Sequence, residues 1–97
     1  MISLRSPLHY SAQNGHLSVV KYLVSHGANI NGKNIDGWTP LHYSAHNGHL
    51  CVVEYLVDSG ADISITNNAN MTPLMISTQN NIVQYLISQG DINYEMQ

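Results

Sequence analysis

Three histidines crowd one short stretch of this sequence, "TPLHYSAHNGHLCVVEYL" from Thr39 to Leu56. On a helix, His42 and His46 at i and i+4 share a face, and His49 follows across a turn. Imidazole nitrogens in that arrangement suit zinc, with water or a carboxylate completing the tetrahedron. The competing reading is structural, with histidines serving a turn and a helix start. His9 and His16 stand 33 residues ahead of His42 and His49, in the same local context. Both pairs therefore belong to a recurring template, and His46 alone is extra. One added donor is a poor start for a metal centre, so no metal ligand and no cofactor is assigned. A histidine-based metal-binding or regulatory domain stands as the alternative function.

Other chemistry is thinner. The acidic residues are Asp36, Glu54, Asp58, Asp62, Asp91 and Glu95, and none pairs with a nucleophile at a motif spacing. Cys51 is the only cysteine, so it forms no intrachain disulfide and no cysteine-based zinc knuckle. Its counterpart 33 residues earlier is Ser18, on the polar side of a helix, which makes it a bystander thiol. No glycine-rich phosphate loop is present. No catalytic residue is assigned and no enzyme is expected.

The chain has 97 residues, enough for one small domain. With 43% hydrophobic and 9% charged residues it is expected to fold rather than stay disordered. Phenylalanine is absent, so the core must rest on aliphatic side chains. Arg5, Lys21 and Lys33 are the only basic residues and lie far apart, which argues against nucleic-acid binding and against a polybasic membrane contact. No apolar run reaches the roughly 20 residues that span a bilayer. No membrane insertion is expected, and the location expected is cytoplasmic, with the nucleus also open.

The elements that position these residues come from a repeat. "SPLHYSAQNGHLSVVKYLVSHGANI" begins at Ser6, "TPLHYSAHNGHLCVVEYLVDSGADI" at Thr39 and "TPLMISTQN" at Thr72, each offset by 33. Residues 6–38 and 39–71 are identical at 19 of 33 positions. In each unit a hydroxyl residue precedes proline, an N-cap with proline at the first helical position. A helix of about two turns follows and stops at Gly15 or Gly48, residues tolerant of left-handed closure. A second helix is predicted over about Leu17–Ser25 and about Leu50–Asp58, with Gly27 and Gly60 ending it. Helices this short are marginal in water, so each must bury its stripe against its partner and the next unit.

These residues, "TPLH", a small pair, then "NGHL-VV-YLV--GA-I" at a 33-residue period, closely resemble the ankyrin repeat. The resemblance implies an all-α solenoid of three stacked helix–turn–helix units with β-hairpin-like fingers at about Asn29–Trp38 and Asp62–Met71. One domain, residues 1–97, is expected, with repeats 6–38, 39–71 and 72–97. The last repeat is shortened, because Asn80 aligns with Asn47 at an offset of 33 but Gln84 with Glu54 at 30. Its two helices are expected to meet at Asn80–Asn81, with one continuous helix from Pro73 to Ser88 as the alternative. The family also implies structural roles for His9 and His42, together with Thr39 and Thr72, in tying each helix start to its neighbours.

By the same resemblance, the chain is a non-enzymatic module that binds a protein partner through its fingers and concave first-helix surface. Positions that differ between units are free to carry specificity. They include Gln13, His46 and Gln79 at the first-helix ends, and Lys33, Ile35, Asp36, Trp38, Asn68 and Met71 in the fingers. Trp38 either offers a large apolar face to the partner or folds onto its own finger or the adjacent helix. Tyr10 and Tyr43 are read as packing between first helices. Asn31, in "LVSHGANIN", is similar to asparagines hydroxylated in ankyrin proteins, although Asn29 replaces the usual acidic residue two before it. A monomer is expected; uncapped terminal faces leave weak end-to-end self-association as the alternative.

Overall fold

Ser6 and Thr39 each adopt extended backbone before a proline, and their hydroxyls accept from the N–H of His9 and His42 respectively. The histidines return the favour, their Nδ1 atoms accepting from the backbone N–H of Ser6 and Thr39. This is a reciprocal capping box with histidine in the position usually held by glutamate. It starts two short helices, α1 (Pro7–Asn14) and α3 (Pro40–His46). A computed structural model describes residues 5–90.

Gly15 closes α1 in the left-handed region at φ 73°, and the chain re-enters a helix within two residues. The return helices are α2 (Leu17–Ser25) and α4 (Leu50–Asp58), and α5 (Asn80–Gly90) closes the described chain. Past α2 and α4 the N–H groups of Ala28 and Ala61 donate back to the carbonyls of Leu23 and Leu56. These bonds satisfy carbonyls that a helix end otherwise leaves open. Helices α2 and α4 thus occupy the spans read from the sequence.

Helix α1 packs on α3, α2 on α4, and α4 on α5, so successive hairpins stand in one row. The core runs along that row through Leu8, Ala12, Val20, Leu41, Ala45, Val52, Val53, Leu56, Ile82 and Leu86. Ala12 and Ala45 are fully buried where neighbouring helices approach closely. No helix among the described residues is long and apolar enough to cross a membrane.

The fingers are hairpin-like turns, and no strand forms among the described residues. Asn34 and Asn67 are buried and organise them in the same way. Asn34 Oδ1 accepts from the N–H of Asp36 and Trp38, and its own N–H donates to the Trp38 carbonyl. Asn67 repeats this with Ala69 and Met71. The two fingers are then stitched together: Asn68 donates from its backbone to Asp36 and from Nδ2 to the Ile35 carbonyl, while Asp62 N–H donates to Asn31 Oδ1.

The third repeat differs from both arrangements anticipated for it. Its second helix begins at Asn80, but its first shrinks to a turn over 73–76 rather than forming a hairpin arm or running on to Ser88. The capping partner is missing, because Met75 stands where His9 and His42 stand and is exposed. Thr72 therefore caps only that turn, with a long 3.4 Å contact from Met75 N–H. Three residues are also missing, including a counterpart for Gly48, so no left-handed residue is available to close a full helix. Thr78 Oγ1 instead donates to the His46 carbonyl and holds the segment against α3. The expected "GDI" continuation at Gly90–Ile92 falls mostly on residues 91–97, outside the described residues.

Leu41 is fully buried between repeats, whereas its third-repeat counterpart Leu74 is only partly so. Leu41→Ala is expected to lower unfolding stability by about 2–5 kcal/mol, and Leu74→Ala by clearly less, in urea titrations of the full chain. Equal losses would contradict the graded core.

Candidate functional site

Two histidines hold the site together. His9 Nε2 lies 2.8 Å from the Gly32 carbonyl and 3.0 Å from that of Trp38. His42 Nε2 lies 2.9 Å from the Met71 carbonyl. Carbonyls only accept, so in both rings Nε2 carries the proton and Nδ1 is left to receive from the cap. Each imidazole therefore spans from a helix start to the finger that follows its repeat. Both are buried. Burial pushes both pKa values below the ordinary 6.5, assisted by the positive charge of Arg5 at His9 and of Lys33 at His42, and the accepting carbonyls oppose the shift.

The three histidines that first suggested a metal centre go to three different places. His42 is spent on the cap and finger. His46 is exposed, with Nδ1 3.2 Å from the Ile76 carbonyl. His49 reaches back to the previous repeat, where its Nε2 and the Nδ2 of Asn47 both donate to the Gln13 carbonyl at 3.0 Å. The His49 ring passes so close to Gly15 that a Cβ there would lie 2.6 Å from it. Among the described residues no three His, Cys, Asp or Glu side chains converge to hold an ion.

A continuous band of aromatic and polar side chains crosses α1, the first finger and α3. The Arg5 guanidinium sits 4.1 Å from the Tyr10 ring centre and 4.6 Å from that of Tyr43, and hydrogen-bonds Gln13 Oε1. Such stacking holds a cation on aromatic faces. The Tyr43 hydroxyl receives Asn34 Nδ2 at 2.6 Å. Trp38 lies 4.9 Å from Tyr43, 5.7 Å from His42 and edge-on to His46 at 5.5 Å. Trp38 is half-buried on α3, so it folds onto the adjacent helix and keeps part of its surface in solvent.

Of the residues singled out from the sequence, the band brings together Gln13, Trp38 and His46. Lys33, Ile35 and Asp36 are exposed along the first finger beside it. Asn68 is exposed but spends its amide on the neighbouring finger, and Met71 is half-buried with its carbonyl on His42. Gln79 lies over Gly48. Thr39 is buried in its capping box, as its structural role requires. Tyr10 and Tyr43 prove to be surface members of the band as much as packing residues, since Tyr10 is 47% exposed. Asn31 is engaged by Asp62.

Arg5 had no signal beyond its being one of three cations. Asn34 and Asn67 did have one, because they keep the same identity across a 33-residue offset within otherwise divergent fingers.

A family model described as "Ankyrin repeats (3 copies)" matches residues 3–67, and one described as "Ankyrin repeat" matches residues 69–96. Among solved structures the chain is similar to the ankyrin repeat domain of Bcl-3, described as a unique member of the IkappaB protein family. Identity is 42% and the TM-score 0.83, over 87% of this chain and 37% of that one. The chain thus spans little more than a third of that domain. No curated protein matches it.

The paired histidines set a pH dependence. Folding holds them neutral while the unfolded chain takes up protons near 6.5, so their contribution is complete above that value and is lost as pH falls below it. The urea midpoint is expected to fall between pH 7.5 and pH 5.5. His42→Gln should be less stable at pH 7.5 yet show a shallower decline, and an unchanged slope would remove His42 from the titration.

Proposed function

The chain belongs to the ankyrin repeat family, a protein-interaction fold, and from that premise we propose that it is a non-enzymatic module gripping a protein partner across its first finger and first-helix surface. One observation carries this reading: the band from Gln13 through Arg5, Tyr10, Tyr43 and Trp38 to His46 is continuous and reaches solvent. Arg5 and Gln13 hold each other, Tyr43 receives Asn34 and His46 meets the Ile76 carbonyl, so the band is presented preorganised. Trp, Tyr and Arg are the types that dominate interface energies, and four such residues, Arg5, Tyr10, Tyr43 and Trp38, are in contact here. Ile35, 49% exposed on the adjoining finger, adds apolar surface. Lys33 and Asp36 beside it supply opposite charges that would fix register.

The proposed working form is a monomer inside the cell, a setting with which an exposed free thiol at Cys51 agrees. The partner covers the finger side and leaves the α2 and α4 faces with Lys21 and Glu54 in solvent.

A photo-crosslinking residue at Ile35 is expected to capture the partner, and the same residue at Lys21 is not. With the partner in hand, Trp38→Ala should weaken binding ten-fold or more, about 1.4 kcal/mol. Ile35→Ser should weaken it several-fold with an unchanged urea midpoint. Equal capture at both positions, or undiminished affinity in both variants, would remove this surface from the function.

A further inference from the structure

The sequence Asn-Gly-His-Leu occurs twice, at Asn14–Leu17 and Asn47–Leu50, and a further Asn-Gly pair stands at Asn31–Gly32. Asparagine is a labile side chain, most of all before glycine, which has no Cβ to crowd its amide nitrogen. The two matched sites share nearly the same backbone. Gly15 and Gly48 take φ 73° and 80°, and their N–H groups make long bonds of 3.3 and 3.4 Å to Ala12 and Ala45. Each glycine is covered by a side chain of the following repeat, His49 or Gln79. The asparagine side chains differ. Asn47 Nδ2 donates to the Gln13 carbonyl at 3.0 Å, which holds its amide across the repeat junction. Asn14 is exposed, and its amide bonds to nothing among the described residues. Asn31 is held as well, its Oδ1 accepting from Asp62 N–H at 2.9 Å and its glycine donating to the Asn29 carbonyl at 3.1 Å.

We infer that Asn14 is a self-modification site, converted by solvent water to aspartate or isoaspartate while its duplicate Asn47 is protected. The Gly15 nitrogen gives up its proton and attacks Asn14 Cγ, forming an N–Cγ bond. The Cγ–Nδ2 bond breaks, and the amide nitrogen leaves with that proton as ammonia. A succinimide ring is left in the chain. Water then adds to one of the ring carbonyls. Opening at Cγ gives aspartate, and opening at the main-chain carbonyl gives isoaspartate, with the chain routed through the side-chain methylene. Asn47 must first give up its bond to Gln13, a step that Asn14 does not need. Either product places a negative charge in the last turn of α1, where the helix dipole opposes it. Isoaspartate also lengthens the chain between the Gln13 carbonyl and Gly15, the two points that receive His49 and join repeats one and two.

The test incubates the full chain in mildly alkaline buffer and follows each site by peptide mass. Trypsin cuts after Arg5, Lys21 and Lys33, so Asn14, Asn31 and Asn47 fall in three separate peptides. Asn14 is expected to convert about five-fold faster than Asn47, the factor that one net hydrogen bond supplies. In urea, where the bond to Gln13 is gone, the two rates should converge. Asn14→Ser cannot close the ring, so its urea midpoint should hold over an incubation that lowers that of the parent. Conversion at Asn14 no faster than at Asn47 or Asn31 overturns the inference. So does a rate difference that survives in urea, or an equal loss of midpoint in both proteins.

Discussion

The molecule depends on one hydrogen-bonding arrangement used twice: an imidazole that closes a helix start on one side and holds a finger carbonyl on the other. Helices of seven to nine residues cannot persist alone. Shared burial along the row supplies their stability, but burial is non-directional and would not set where a finger lies. His9 and His42 supply direction, because a neutral ring has one donor and one acceptor and both are committed. Where the histidine is absent, at Met75, the helix it would have opened is absent as well.

Much of this was legible from the chain alone. The 33-residue period located both complete hairpins, since the hydroxyl–proline caps and the glycine stops are local signals that read the same way wherever they occur. Recurrence marked His9 and His42 as features of the repeat, and what each bonds to was implied by the family resemblance. The third repeat was less readable. Its missing residues were countable, but which element would give up length depends on Thr78 reaching His46 and on the lost capping partner, a competition between tertiary and local bonding. The Arg5 stack was invisible for a related reason: it joins residues brought together by α1, α3 and the finger, with no periodic mark of its own. Trp38 lay between two sequence-level possibilities; its indole rests on α3 and stays half-buried.

The repeats show which positions the scaffold uses in both units. Positions identical between units hold caps, turns and core, as Asn34 and Asn67 do in the fingers. Positions that change lie on both sides, as Gln13 against His46 beside Trp38 and Lys21 against Glu54 on the return helices. Side chains at the changing positions can be replaced without loss of the backbone bonds that keep the fingers in place.

Gly15 has a consequence beyond ending α1. The space its missing side chain leaves is filled by the His49 ring of the following unit, and that ring then reaches the Gln13 carbonyl. The two residues are a slot and a key held in different repeats. Shuffling or transplanting single units between arrays must carry both halves or neither, so heredity at this junction is pairwise even though the units look interchangeable.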